Sequence, residues 1–214
     1  MCIRDSIETV NIDDFLWLDS HPKEKRVVWL NQSMITPRQR ENAAVPNGMI
    51  QDWVGTTFLS DARLEQVRDV VLGLGDYKVR FKQQVIESKL EKREGDRFDA
   101  TLRLHKTQLR SVVLDANVSA QYTLLDSTHA TVVCRSTKIV PKGEDRGYLW
   151  RLNLYWRLQE ADQGVYIEVE VVTLSAQSGL LDAGRVLNGF IQKFPREFTE
   201  GLLEGMQQAF PYHR

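Results

Sequence analysis

The stretch LLDAGRVLNGFIQKFPREFTEGLLEGMQQAF, residues 180–210, carries the clearest helical pattern in the chain. Its large apolar residues recur at every fourth position, and two others widen the stripe that they form. The stripe consists of Phe190, Phe194, Phe198, Leu202, Met206 and Phe210, with Leu187 and Ile191 beside it. This spacing predicts an amphipathic helix with one apolar face. Pro195 lies inside the stretch, and we expect it to divide the helix into a shorter and a longer piece.

Nearly a hundred residues before this helix show the pattern of strands joined by turns. In 148–158 and 165–174, apolar and polar residues alternate, as expected for strands with one buried face. The apolar set is Trp150, Leu152, Leu154, Trp156, Val165, Ile167, Val169 and Val171. Short turns between the runs favour an antiparallel meander. Because a long apolar helix needs a sheet to pack on, the sequence predicts an α+β fold, with a curved antiparallel sheet of about six to seven strands wrapped around the C-terminal helix.

The chain divides into an extension, residues 1–48, and a main domain, residues 49–214. The extension is predicted to hold short helices near Leu18 and Val28, followed by a loop over 36–48, and its apolar residues need the main domain to cover them. Met1–Ser6, which reads MCIRDS, resembles a translated sequencing-adapter remnant of metagenomic gene models. If these residues are foreign, the natural start is missing, and a cytoplasmic and an exported protein both remain compatible with the sequence.

Composition excludes several classes of function. The 28 basic and 29 acidic residues give a formal net charge of -1, which argues against a nucleic-acid partner bound through a broad basic surface. No apolar run approaches the roughly 20 residues of a transmembrane helix. Two cysteines exclude a disulfide framework, and four scattered histidines give no metal-ligand spacing. We therefore expect neither a metal nor a cofactor, and the sequence does not indicate the oligomeric state.

Four stretches carry a resemblance to a known superfamily. They are DWVGTTF at 52–58, GDRFDATLRL at 95–104, GYLWRLNLYWRLQE at 147–160 and GVYIEVEVVTLS at 164–175. With the order of helices and strands, they make residues 49–210 resemble the START/Bet v 1-like (SRPBCC) helix-grip superfamily, and in particular a bacterial group within it. The resemblance implies a cavity between the sheet and the last helix that takes hydrophobic ligands. The superfamily includes lipid and sterol carriers and polyketide cyclases, so the resemblance implies a pocket but no reaction.

The apolar strand register and the apolar face of the last helix supply most of the predicted ligand-binding residues, and Arg135, on one face of its own strand, is added to them. They are Trp150, Leu152, Trp156, Leu102, Leu187, Phe190, Phe194 and Arg135. Large aromatic side chains either line a cavity or fill it, and the sequence leaves both possibilities open. The predicted function is non-catalytic binding of a hydrophobic or amphipathic small molecule, lipid-like or polycyclic.

The polar register of the same strands supports an alternative. Arg157 and Glu168 belong to it, together with Arg151 and Glu170. If this face looked inward, Arg151, Glu170 and His105 could serve a cyclase, aromatase or dehydratase reaction. If it looks outward, it is a solvent-facing ladder of cross-strand pairs. The direction in which the polar side chains of these strands face therefore distinguishes ligand binding from the enzyme alternative.

Glycines in the last helix also admit two explanations. Gly184, Gly189, Gly201 and Gly205 weaken a helix relative to alanine. They fit either a mobile gate over a pocket or close packing of the helix on its neighbours.

Overall fold

A computed structural model describes residues 15–30, 32–38, 45–107, 111–142, 147–176 and 184–211. A short 3-10 turn, Trp17–Ser20, precedes helix α1, Pro22–Trp29. The other helices are α2, Leu64–Leu72, α3, Tyr77–Arg80, and α4, Gly184–Ala209. The strands are β1 Met34–Pro37, β2 Gly48–Ser60, β3 Val85–Glu94, β4 Arg97–Thr107, β5 Ser111–Leu124, β6 His129–Pro141, β7 Leu149–Ala161 and β8 Gly164–Ala176.

The eight strands form one antiparallel sheet in the order β1-β2-β8-β7-β6-β5-β4-β3. Strands β3 to β8 are a meander, and β2 joins it beside β8, so the chain's first long strand and its last strand are neighbours. Helix α4 packs mainly on β2 and β8, and α2 packs on β6 and β7. The predicted fold, a sheet gripping the C-terminal helix, is confirmed.

The inner face of the sheet and the helices form the main core. Trp156, Val169 and Val171 are fully buried there, together with Leu202 and Met206 of α4. The approach of α4 is close because β2 has a glycine at the contact. A Cβ on Gly55 would lie 2.5 Å from Thr199 Cγ2 and 2.9 Å from Leu203 Cδ1. Glycine at this position lets the helix reach the strand.

Residues 15–30 and 32–38 cross the opposite face of the sheet, and we call them the N-terminal strap. Phe15, Leu16, Leu18 and Val28 of the strap form a second apolar cluster with Phe58 of β2 and Tyr166 of β8. The strap also supplies β1, which pairs with β2 as the edge of the sheet. The predicted loop over 36–48 is therefore wrong at its start, because Met34–Pro37 finds an unpaired strand edge that the local sequence does not reveal.

Helix α4 continues through Pro195 instead of breaking there. The buried face of the helix supplies the physical reason, since Phe194 and Phe198 on either side of the proline pack into the main core. Local polar contacts add to this. The Gln51 side chain of β2 donates to the Gln192 carbonyl at 3.1 Å, and the Thr199 hydroxyl donates to the Pro195 carbonyl at 2.7 Å. Tertiary packing thus outweighs the local cost of the proline.

Candidate functional site: the cleft beside the last helix

The register of the sheet places the apolar residues of β7 and β8 inward, toward α4. Leu152 and Trp156 lie in the main core with exposed fractions of 6% and 0%. Leu102 of β4 and Phe194 of α4 belong to the same core. These four predicted residues therefore face the interior. Trp156 fills the core rather than lining open space, and its indole Nε1 has no hydrogen-bond partner among the described residues.

Two other predicted residues do not face the interior. Pairing between β7 and β8 shifts at Leu149 and Arg151, and this bulge takes Trp150 out of the alternation. Leu149 occupies the core in its place, whereas Trp150 is half-buried and donates from its indole to the Gly147 carbonyl at 3.0 Å. Arg135 is exposed on the face opposite to the buried Cys134. Neither is retained as a lining residue.

Leu187 and Phe190 lie in the first part of α4, and their side chains are outside the described residues. Of the four glycines, Gly201 and Gly205 lie in the part of the helix whose packing the structure describes. A Cβ on Gly201 would overlap the Gln84 side chain, and one on Gly205 would overlap the Phe81 ring. Both glycines thus allow close packing of α4 against the segment that leads into β3.

A cleft of about 560 Å³ opens between α4, the end of β4 and the segment before β3. Its floor is made by the rings of Phe194 and Phe198, which are nearly buried and whose centroids lie 5.2 Å apart. Its rim is polar and is formed by Lys82, Gln83, Gln84, His105, Glu197, Glu200 and Glu204. An apolar floor beneath a polar rim suits a molecule with one apolar and one polar end.

The rim is built from three separate elements. The His105 backbone N–H donates to the Gln84 carbonyl at 2.8 Å, which ties β4 to the segment before β3. Glu197, Glu200 and Glu204 follow one another along the same side of α4, at spacings of three and four residues. The sequence pattern predicts only Phe194 and His105 among the residues of this cleft, because its rim comes together only when α4 docks.

The polar register of β7 and β8 lies on the outer face, under the N-terminal strap. Glu168 and Glu170 are almost completely buried, and Arg157 is 8% exposed. Arg157 donates to Glu168 Oε1 at 2.7 Å and lies 3.6 Å from Glu170 Oε2. The expected cross-strand ladder is present, but it does not face solvent, because the strap covers it.

The strap supplies further partners to these carboxylates. The Trp17 backbone N–H donates to Glu168 Oε2 at 2.6 Å, and Arg38 lies 3.5 Å from Glu170 Oε2. Burial raises the pKa of Glu168, whereas the charge of Arg157 and the Trp17 N–H oppose that rise. We call Arg38, Arg157, Glu168 and Glu170 the outer charge cluster.

The three residues of the enzyme alternative are not brought together. His105 lies on the rim of the cleft, Glu170 is buried on the outer face, and Arg151 is exposed. The inward polar register that this alternative requires is not the one adopted. Within the described residues, no group of three or more His, Cys, Asp or Glu side chains could hold a metal ion. No helix in that part of the chain is both long and apolar enough to cross a membrane.

No protein-family model matches the chain, and no curated protein matches its sequence. Solved structures do match. The STAR-related lipid transfer protein from Xanthomonas axonopodis superposes with a TM-score of 0.62 at 18% identity, covering 84% of this chain and 94% of that one. The fold is the START/Bet v 1-like helix grip. The resemblance read from the sequence is thereby confirmed at the level of the fold.

Two further helix-grip structures show how widely this architecture is used. Human STARD10 matches with a TM-score of 0.54 at 10% identity, covering 96% of this chain and 82% of that chain. The Zhui aromatase/cyclase from Streptomyces sp. R1128 matches with a TM-score of 0.54 at 12% identity, covering 75% and 94%. At these identities the helix-grip likeness establishes the fold and does not carry a ligand or a reaction across.

Proposed function

We propose that the chain binds a hydrophobic or amphipathic small molecule at the cleft beside α4, without catalysing a reaction on it. The observation that carries this proposal is the cleft itself, where the buried rings of Phe194 and Phe198 meet a polar rim. The apolar end of a ligand would rest on these rings, and its polar end would stay at the rim. The match to the STAR-related lipid transfer protein from Xanthomonas axonopodis is consistent with such a ligand.

The charges of the rim favour one kind of polar end. The exposed carboxylates Glu200 and Glu204 lie on this rim, together with the single ammonium of Lys82. Two carboxylates beside one ammonium repel an anionic head group and attract a cationic one. We therefore propose a ligand with a neutral or cationic polar end.

Displacement of a fluorescent fatty-amine probe tests the proposal, with a fatty-acid probe of equal chain length in parallel. We expect saturable binding that is tighter for the amine. Native mass spectrometry of the purified protein would show whether a small molecule is retained. Absence of both retained ligand and saturable binding would overturn the proposal.

A variant that blocks the cleft sharpens this experiment. Glu200→Trp places a large ring at the exposed rim and should lower probe affinity at least about tenfold, because it occupies the space of the ligand. Glu65→Trp, on the exposed side of α2, is the matched control and should leave binding unchanged. Equal affinities of the two variants would show that the probe binds elsewhere.

A further inference from the structure

Helix α1 presents an apolar surface that the rest of the described structure leaves exposed. Val27, Trp29 and Leu30 lie within four residues of one another, and their exposed fractions are 38%, 50% and 60%. Single exposed apolar residues are common on proteins, but an adjoining group that includes tryptophan points to a contact surface. Beside it, Pro22, Trp29 and Tyr166 line a shallow depression.

The helix is held firmly on its other side. Val28 is fully buried in the second apolar cluster, between the strap and the sheet. Lys25 pairs with Asp19 at 2.9 Å, and its ammonium lies 5.0 Å from the centroid of the Tyr166 ring. The exposed face of α1 is therefore presented in a fixed orientation, at the outer side of the sheet.

Charge on this face is positive. With 100° between successive residues, Lys23, Arg26 and Leu30 fall within an arc of about 60° opposite the buried Val28. Val27 and Trp29 flank this arc, one on each side. Glu24, the one acidic residue of α1, falls on the side nearer the sheet and is half-buried. The exposed face thus combines tryptophan and leucine with two cations and no carboxylate of its own helix.

We propose that this face of α1 docks the protein on the surface of an anionic lipid bilayer. Tryptophan is favoured at the membrane–water interface, and cations beside apolar residues bind anionic headgroups while those residues enter the acyl boundary. A second copy of this chain fits less well, because an isologous contact would bring the same cations against one another. The docking face lies on the outer side of the sheet, whereas the cleft lies beside α4, so surface binding and ligand binding are separate properties.

Vesicle co-sedimentation tests the proposal with the full-length protein. Phosphatidylcholine vesicles with and without phosphatidylglycerol are the probes, and we expect binding to the anionic vesicles that weakens as salt is raised. Lys23→Gln with Arg26→Gln should lower the partition coefficient about fivefold for each cation removed. Trp29→Ala with Leu30→Ala should abolish most of the binding at any salt concentration.

Val79→Ala is the matched control, since Val79 is 68% exposed on α3, and it should bind vesicles like the unchanged protein. Circular dichroism and thermal unfolding show that each variant is folded.

The proposal is overturned if the protein does not bind anionic vesicles, if it binds both vesicle types equally, or if the substitutions of Trp29 and Leu30 have no effect on binding. Concentration-dependent dimerisation that these changes abolish, without vesicle binding, would assign the face to a second copy instead. Probe displacement at the cleft should be unaffected by all of these variants.

Discussion

At the scale of single residues, Arg157 decides whether the outer charge cluster is stable. Its side chain is 9% exposed and donates to Glu168 Oε1 at 2.7 Å. Arg157→Met keeps much of the volume but leaves the Glu168 carboxylate buried beside fewer cations. We expect the free energy of unfolding at pH 7 to fall by about 3 kcal/mol, as for other buried ion pairs that lose one partner. Urea unfolding of the variant and of the unchanged protein measures this difference in the free energy of unfolding.

The same variant should lose less stability in acid. Burial raises the pKa of Glu168 above its unfolded value, and removal of Arg157 raises that pKa further. A raised carboxyl pKa favours folding below the unfolded pKa, and this advantage is lost as pH rises through the folded pKa. The gap between the variant and the unchanged protein should therefore shrink between pH 7 and pH 5. An equal gap at both values would mean that lost packing, not charge, is responsible.

Asp126 offers a second titration at the residue scale. Hydrogen bonds from the Thr128 backbone N–H and the His129 side chain lower the pKa of the Asp126 carboxyl to about 2. A lowered pKa adds stability above the unfolded pKa, and this stability is lost as pH falls toward 2. We expect carbon-detected NMR to place the titration midpoint of Asp126 well below the ordinary value for an aspartate, which is about 3.9. Thr128→Pro, which removes the donor, should move the midpoint upward.

At the scale of elements, the contact between β2 and α4 depends on Gly55. Gly55→Val would force Thr199 and Leu203 away from the strand, and overpacking of this kind costs about 1–3 kcal/mol. Gly75→Ala is the control, because a Cβ there meets Leu90 atoms at an ordinary 3.7 Å. Differential scanning calorimetry should show a lower Tm for Gly55→Val and little change for Gly75→Ala. Similar Tm values would mean that α4 shifts without cost.

The elements also show how far sequence periodicity reaches. The alternation of apolar and polar residues predicts that Leu152 and Trp156 face the core. It places Glu168 and Glu170 on the opposite face of the sheet, and the structure has both pairs in these positions. It failed at Trp150, because a bulge adds a residue to the strand and a bulge has no signature in a two-residue pattern. The alternation also does not show whether another segment covers the outer face of the sheet. Glu168 was therefore predicted to face solvent, although it is buried. Most of the cleft was missed for a related reason, since its rim is assembled from segments far apart in sequence and only Phe194 and His105 were predicted.

At the scale of the whole molecule, the sheet joins two apolar clusters into one cooperative unit. Leu18 of the strap and Leu202 of α4 are both fully buried, on opposite faces of the sheet. We expect Leu18→Ala and Leu202→Ala each to lower the free energy of unfolding by about 3 kcal/mol. Each variant should still unfold in one transition when tryptophan fluorescence and circular dichroism are compared. A separate early transition in Leu18→Ala would show that the strap unfolds on its own.

Burial of β7 and β8 on both faces has a consequence for how this chain can vary. Most positions along these two strands are packed, whereas most of β3 is open to water. In a saturation mutagenesis library, we therefore expect most substitutions along β7 and β8 to destabilise the fold, whereas most substitutions along β3 should be tolerated. During evolution, substitutions should therefore accumulate mainly in β3 and in the turns between strands, whereas β7 and β8 should change slowly.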